Sequence, residues 1–260
     1  MTNALIGFSG FVGSTLLKQQ KFTALFRSTN IQQIAGQAFN TVVCAGAPAQ
    51  KWIANREPEI DRQKIQNLIE HLKTVTCEVF ILISTVDVFG DPNGVDEDTE
   101  VAEAGLHPYG LNRRLLEKFV AHQFQNHLIV RLPGLIGPGL KKNVIFDLLN
   151  QNNPHSIDSR AHFQFYPMVN LWYDIQIALA ARLQLVHLTA APISVSEVSM
   201  QGFGKPFDNA VGIKPASYDV TTRYSQLFSG QGSYQYSKRD QIQAVRAYVQ
   251  SEPVSKTASP

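Results

Sequence analysis

The chain is poor in the features that mark several classes of protein. Only two cysteines occur, Cys44 and Cys77, both in or beside apolar segments, with no CxxC and no histidine at ligand spacing. That excludes a disulfide scaffold and reads as two buried free thiols. His107, His155 and His187 do not cluster with acids and no HExxH occurs, so no metal site is expected. Long basic runs are missing and the formal net charge is only +2, which removes the electrostatic footprint of a nucleic-acid binder. No stretch approaches the roughly 18 apolar residues of a membrane span, and no basic leader precedes the first apolar run. A cytoplasmic protein with a small-molecule partner is therefore expected, with self-association as a homodimer the other possible partnership.

What is present is enough apolar sequence for a large core: 260 residues, 44% hydrophobic and 17% charged. Short β-rich runs alternate with amphipathic ones, the pattern of a parallel sheet covered by helices on both faces. Strands are predicted at 3–7, 23–27, 41–46, 78–84 and 127–132, each rich in Val, Ile, Leu or Phe. Between Glu57 and Val75 the spacing of Ile65, Leu68, Ile69, Leu72 and Val75 predicts a helix with one buried stripe, and Tyr109 to Gln123 repeats it through Leu115, Leu116, Phe119 and Val120. Further helices are expected near 171–183 and 239–248. The link from Arg27 to Asn40 is too short for a full helix and strand, so one unit of the sheet should be reduced.

The first chemical motif is GFSGFVG, with Gly7, Gly10 and Gly13 placed between an apolar strand and the helical run VGSTLLKQ. One glycine permits the tight turn, a second lets backbone approach a pyrophosphate, and a third lets helix pack on strand. The helix N-terminus then presents unpaired N–H groups to the phosphates. At the end of the second strand, where a carboxylate would select NAD, the chain instead carries Arg27, Ser28 and Thr29, a cation and two hydroxyls suited to the 2′-phosphate of NADP. NADP is the expected cofactor, with NAD as the alternative. Ala45, Gly46 and Ala47 supply small residues at a further strand end, where bulk would obstruct a bound cofactor.

The GxxGxxG spacing, together with ISTVDVFG at 83–90 and HPYGLNRRLLE from His107, resembles the extended short-chain dehydrogenase/reductase superfamily of the NAD-dependent epimerase/dehydratase type, in particular its dTDP-4-dehydrorhamnose reductase-like members. The resemblance covers residues 3 to 250. It implies a Rossmann-type doubly wound parallel sheet with a small C-terminal substrate-binding subdomain: 1–139 and about 160–190 for the cofactor, about 140–159 and 191–250 for the substrate, and a disordered tail at 251–260. By that resemblance Ser9, Phe11 and Val12 lend backbone to the cofactor, and Pro133 and Leu135 meet the nicotinamide. Thr85 takes the part of the hydroxyl residue and Tyr109 that of the general acid/base. Asp87, Lys142, Asn143, Gln164 and Tyr166 are the substrate-side candidates, with core packing the competing role for the aromatic stripe. Ser194 or Ser196 is expected to cap a small helix.

One position departs from the pattern. Where YxxxK requires lysine, four residues after Tyr109, this chain has Arg113. A cation at about 4 Å in an effective dielectric near 20 is worth up to about 4 kcal/mol, or roughly three pKa units, so arginine is expected to lower the phenol's pKa. Its planar, permanently charged group suits the ribose contact and the proton relay less well. The expected function is an NAD(P)-dependent reductase or epimerase acting on a nucleotide sugar; the alternative is a degenerate NADP(H)-binding sensor or interaction protein.

Overall fold

A computed structural model describes residues 2–253 and groups them into two compact units, one formed by residues up to 91 with 97–132 and 171–187, the other by 92–96, 133–170 and the residues from 188 onward. Residues 133–139 and 160–170, expected with the first group, thus lie in the second unit. Of the expected tail, Ser251 ends a helix, and residues from 254 onward lie outside the described ones.

The first unit is built on a six-stranded sheet in which every pairing is parallel: β1 (Asn3–Ile6), β2 (Ala24–Phe26), β3 (Ala38–Cys44), β4 (Thr76–Thr85), β5 (His127–Leu132) and β6 (Leu185–His187). Its spatial order is β6-β5-β4-β3-β1-β2. This is a doubly wound Rossmann-type sheet without the strand that usually lies outside β2. The chain between β2 and β3 holds only one 3-10 turn, Ile31–Ile34, whose two isoleucines are buried in the core, so the shortened link does produce a reduced unit. Strand β3 starts three residues before the expected Thr41, because residues from Ala38 pair with β4 from Thr76. β6 was not among the predicted strands.

Helices α1 (Phe11–Gln19), α2 (Lys51–Arg56), α3 (Pro58–Leu72), α4 (Pro108–Gln123) and α5 (Leu171–Ala180) complete this unit. The predicted stripe of α3 is buried at every position, and α4 packs Leu116 and Val120 into the same cluster of Val42, Phe80, Leu82 and Ile129. Burial of each such side chain is worth about 1.5–3 kcal/mol. Pro58 at the first turn of α3 fixes its start, where a missing N–H costs nothing. Helix α2 escaped the sequence reading: six residues are too few for a period, and only Ala54 is buried.

In the second unit, Gly134–Ile136 pairs in parallel with Phe165–Pro167, and Ile193–Ser194 pairs with His162–Phe163. The helix Lys238–Ser251 buries Gln241, Ile242, Val245 and Tyr248. Ser194 is the residue that caps the short helix Val195–Val198, in a reciprocal arrangement with Glu197. No helix among the described residues is long and apolar enough to cross a membrane.

Candidate active site

In a doubly wound sheet ligands sit beyond the carboxyl ends of the strands, where the order reverses. Here that point lies between β1 and β3, and the Gly7–Gly13 turn and Ala45–Ala47 occupy it. The three glycines of the turn differ in what requires them. Gly7 has φ +83°, and a Cβ on it would collide with the Ala45 carbonyl. A Cβ on Gly13 would overlap the Gly7 carbonyl, so both are required by the chain itself. Gly10 has φ −78°, and its Cβ would meet only the Gly7 oxygen, at an ordinary 3.5 Å. Nothing inside the protein requires glycine there. Gly10 is also the N-cap of α1, with no side-chain cap and no acid in the first turn. The turn thus exposes Ser9 and Gly10 beside the positive end of the helix. Gly46 is explained internally, since a Cβ would fall 2.8 Å from the Ile6 side chain.

Arg27, Ser28 and Thr29 follow β2 as an exposed turn. The Asn30 carboxamide closes the turn by accepting from the Arg27 N–H at 2.7 Å, while Arg27 Nε donates to Thr29 Oγ1 at 3.0 Å. The guanidinium lies 5.7 Å from the Phe8 ring centre, so it leans from β2 toward the glycine turn.

The second cluster is assembled where α4 begins. Tyr109, Arg113 and Glu117 recur every fourth residue and form a buried polar row along one face. Glu117 anchors the row to the sheet: Ser84 on β4 donates to it at 2.6 Å, and Arg131 on β5 donates twice, at 3.0 and 2.8 Å. Burial pushes Glu117 upward, but these hydrogen bonds and the Arg131 charge outweigh it and leave the carboxyl below its ordinary value. Gly110 permits the closest approach, because a Cβ there would overlap the Asp87 carbonyl. The first turn of α4 therefore presses onto the turn Val86–Val88 that ends β4, next to Thr85, whose hydroxyl helps to lower the phenol. Thr85 Oγ1 also accepts from the Asp87 N–H at 3.1 Å.

Arg113 does not meet the sequence expectation. Its guanidinium is buried, 3% exposed, and grips Asp61 of α3 with both terminal nitrogens, one at 3.0 Å from Oδ1 and the other on Oδ2. One of these nitrogens also donates to the Pro48 carbonyl. The guanidinium carbon sits 3.9 Å from the centre of the Tyr109 ring, so the cation stacks on the ring face. The phenol is not lowered. Burial raises it most; Arg113 pulls it down, Asp87 raises it, and Lys51 and the Thr85 hydrogen bond lower it, with a net rise above its ordinary value. Desolvation of a tyrosine only 8% exposed outweighs a cation already matched by Asp61.

Three neighbours of this cluster were not anticipated. Lys51 of α2 bonds Asp87 Oδ1 at 2.7 Å, which makes Asp87 half of an ion pair. Asn55 of α2 accepts from the Tyr109 N–H at 3.0 Å. His107 caps α4, its Nδ1 accepting from the Gly110 N–H at 3.0 Å. Burial, aided by Lys51, lowers the His107 pKa. Asp61 carried a signal in the sequence: four residues before Ile65 and seven before Leu68, it lies on the apolar stripe of α3, where a carboxylate requires a partner.

The remaining candidates lie in the second unit, and several are corrected. Gln164 is 1% exposed and fully engaged, donating to the Ala190 and Val220 carbonyls at 2.6 and 2.8 Å and accepting from the Val220 N–H at 2.8 Å. Tyr166 is buried edge-on against Tyr236 at 5.6 Å. Neither side chain is presented to a ligand; both are core. The Asn143 side chain is likewise committed, accepting from the Ile145 and Phe146 N–H groups and donating to the Leu135 carbonyl at 2.8 Å. Lys142 is exposed, and Pro133 and Leu135 are half-buried beside and within the strand Gly134–Ile136. Cys44 is buried and Cys77 half-buried; both are free thiols, pushed by burial up to about 11. Among the described residues no group of acids, histidines or cysteines could hold a metal ion.

The model of the NAD dependent epimerase/dehydratase family matches residues 23–156, just over half of the chain. The chain belongs to that family. Solved structures resemble it over nearly its whole length. A dTDP-4-dehydrorhamnose reductase of Clostridium acetobutylicum aligns with a TM-score of 0.71 at 16% identity, covering 96% of this chain and 99% of the other. The UDP-glucuronic acid 4-epimerase of Bacillus cereus, solved with UDP-glucuronic acid and NAD, gives 0.70 at 19% identity with the same coverage of 96% and 99%. The RMD protein of Pseudomonas aeruginosa, complexed with NADPH, gives 0.68 at 16% identity, again covering 96% and 99%. At these identities the likeness is one of fold. No curated protein matches by sequence.

Proposed function

We propose that this family member is an NADP(H)-dependent reductase or epimerase acting at a carbonyl or hydroxyl carbon of a nucleotide sugar, with Tyr109 as the general acid/base. The observation that carries the reading is the seating of the first turn of α4, with Tyr109, on the Asp87 carbonyl beside Thr85 at the end of β4, in the same unit as a glycine turn whose middle glycine has no internal reason to be glycine. The residues fit a dinucleotide. Gly10 leaves the cradle that a Cβ would fill, the first turn of α1 offers its N–H groups to a pyrophosphate, and the small Ala45 and Ala47 flank the switch point.

When bound, the nicotinamide supplies or accepts the hydride. The chain's own residues handle the proton: Thr85 holds the substrate oxygen, and Tyr109 gives it a proton during reduction or removes one during oxidation. Burial raises the phenol above its ordinary value, so Tyr109 enters the reaction carrying the proton that reduction requires. Arg27 and Ser28 would hold a 2′-phosphate, and Lys142 and the backbone at Pro133 to Leu135 remain the second unit's candidates for substrate and cofactor contact. The relatives of known structure bound to NADPH and to UDP-glucuronic acid with NAD agree in ligand class with this reading.

The competing reading, a cofactor-binding sensor without turnover, draws on the commitment of Arg113 to Asp61 and Pro48. A panel of dTDP- and UDP-linked keto sugars incubated with NADPH separates the two: loss of reduced-nicotinamide absorbance supports the enzyme, and cofactor binding without any oxidation supports the sensor. In the same assay Arg27→Ala is expected to weaken NADPH about tenfold, roughly 1.4 kcal/mol, and to leave NADH unchanged. An equal loss for both cofactors would remove Arg27 from phosphate recognition.

A further inference from the structure

A lysine four residues after the tyrosine would carry a mobile ammonium to the phenol's side. Arg113 leaves that place empty, since its guanidinium is fixed beneath the Tyr109 ring by Asp61 and by the Pro48 carbonyl. Helix α2, absent from the sequence reading, encloses the same turn of α4 from a different direction. Pro48, just before it, receives Arg113, Asn55 receives the Tyr109 N–H at 3.0 Å, and Lys51 reaches the Asp87 carboxylate at 2.7 Å. Asp87 in turn gives its N–H to Thr85 Oγ1 at 3.1 Å, and its carbonyl is the surface on which Gly110 rests. The Lys51–Asp87 pair is thus tied to both hydroxyl residues by backbone contacts on either side. Lys51 is 38% exposed at the side chain and Asp87 20%, so the pair has access to water that the buried Arg113 lacks.

We propose that Lys51, positioned by Asp87, is the lysine of this site: it acts on Tyr109 from helix α2, in place of the side chain that Arg113 has committed to the fold. The inference rests on the reading of Tyr109 as the acid/base. Lys51 is a positioning residue in this account, acting through the phenol. Its ammonium favours the phenolate left when Tyr109 has given up its proton, and Asp87 opposes it. The other charged or titratable groups facing the cluster are Arg113 with Asp61, and His107, whose lowered pKa leaves it neutral at neutral pH.

The test is a titration that needs neither cofactor nor substrate. Difluorotyrosine placed at position 109 titrates at lower pH than tyrosine, and fluorine NMR follows it directly. Lys51→Met is expected to raise that titration by about one pH unit, Asp87→Asn to lower it, and Lys51→Arg to leave it within about 0.3 unit. The sign guards against a trivial cause. Burial raises the phenol, so a loosened site would lower it, whereas loss of Lys51 raises it. An unchanged or lowered titration in Lys51→Met overturns the proposal. The functional reading fails separately, in the absence of NADPH oxidation by the unmodified protein; a raised titration together with that absence upholds the role of Lys51 toward Tyr109 and removes the catalytic reading.

Discussion

The turn that opens α1 and the turn that opens α4 each carry a family motif, and they treat it in opposite ways. In Gly7–Gly13 the demands of the fold and of a ligand fall on different residues: the chain requires glycine at 7 and 13, and Gly10 remains open. In Tyr109–Arg113 the two demands fall on the same residue, and the fold has taken it, since Arg113 is the buried partner of Asp61. A motif position can therefore be occupied for structure, and on the proposal made above its chemical task falls to Lys51 on a neighbouring element.

The largest effect that would break this contrast lies at Asp61. Removing it strands a guanidinium that is 3% exposed, so Asp61→Ala should cost about 3–5 kcal/mol in urea denaturation. The double change Asp61→Leu with Arg113→Met should recover most of that loss, because apolar residues replace a buried pair without leaving a lone charge. Were Asp61→Ala nearly neutral, Arg113 would not be structural and the contrast would fail.

The glycine turn gives the next largest effect. Gly13→Ala forces a carbon into the Gly7 carbonyl and should cost about 1–3 kcal/mol, whereas Gly10→Ala should cost no more than about 1 kcal/mol, as for a weaker N-cap. In calorimetric titration with NADPH, Gly10→Ala should nevertheless bind at least about tenfold more weakly. Equal stability losses at the two positions would show that Gly10 too serves the fold.

The smallest effect concerns the cap of α4. His107 accepts from the Gly110 N–H through Nδ1, so protonation there breaks the cap. Burial has lowered its folded pKa, so the stability it contributes is present above the unfolded value of about 6.5 and is lost as pH falls through the folded one. Stability is expected to fall on acidification from about pH 7 to about pH 5, and His107→Asn, which keeps an acceptor but does not titrate, should flatten that fall. A dip of the same size in His107→Asn would assign it to other groups.

Most of the first unit was legible because its signals are local. Compact β-branched runs gave five of the six strands, the 3.6-residue stripe gave α3 and α4, and glycine spacing marked the switch point. The missed parts are β6, although β2 of the same three-residue length was found, and α2, which is too short for a helical period and matters only for what it touches. The partnership of Arg113 with Asp61 spans 52 positions and is visible in sequence only as a charge on an apolar stripe. Gln164 and Tyr166 were placed toward ligand by the family resemblance, which does not say whether a side chain here meets the core; their hydrogen bonds and ring contacts do.

The central claim is that the Tyr109 phenol performs proton transfer although residue 113 has been given to the fold. The most direct measurement is the rate of hydride transfer from NADPH to a nucleotide keto sugar, in the unmodified protein and in Tyr109→Phe. A loss of about 100-fold or more in kcat, with NADPH affinity unchanged, is the expected result. Equal rates in the two proteins, or cofactor binding with no transfer in either, would contradict the account.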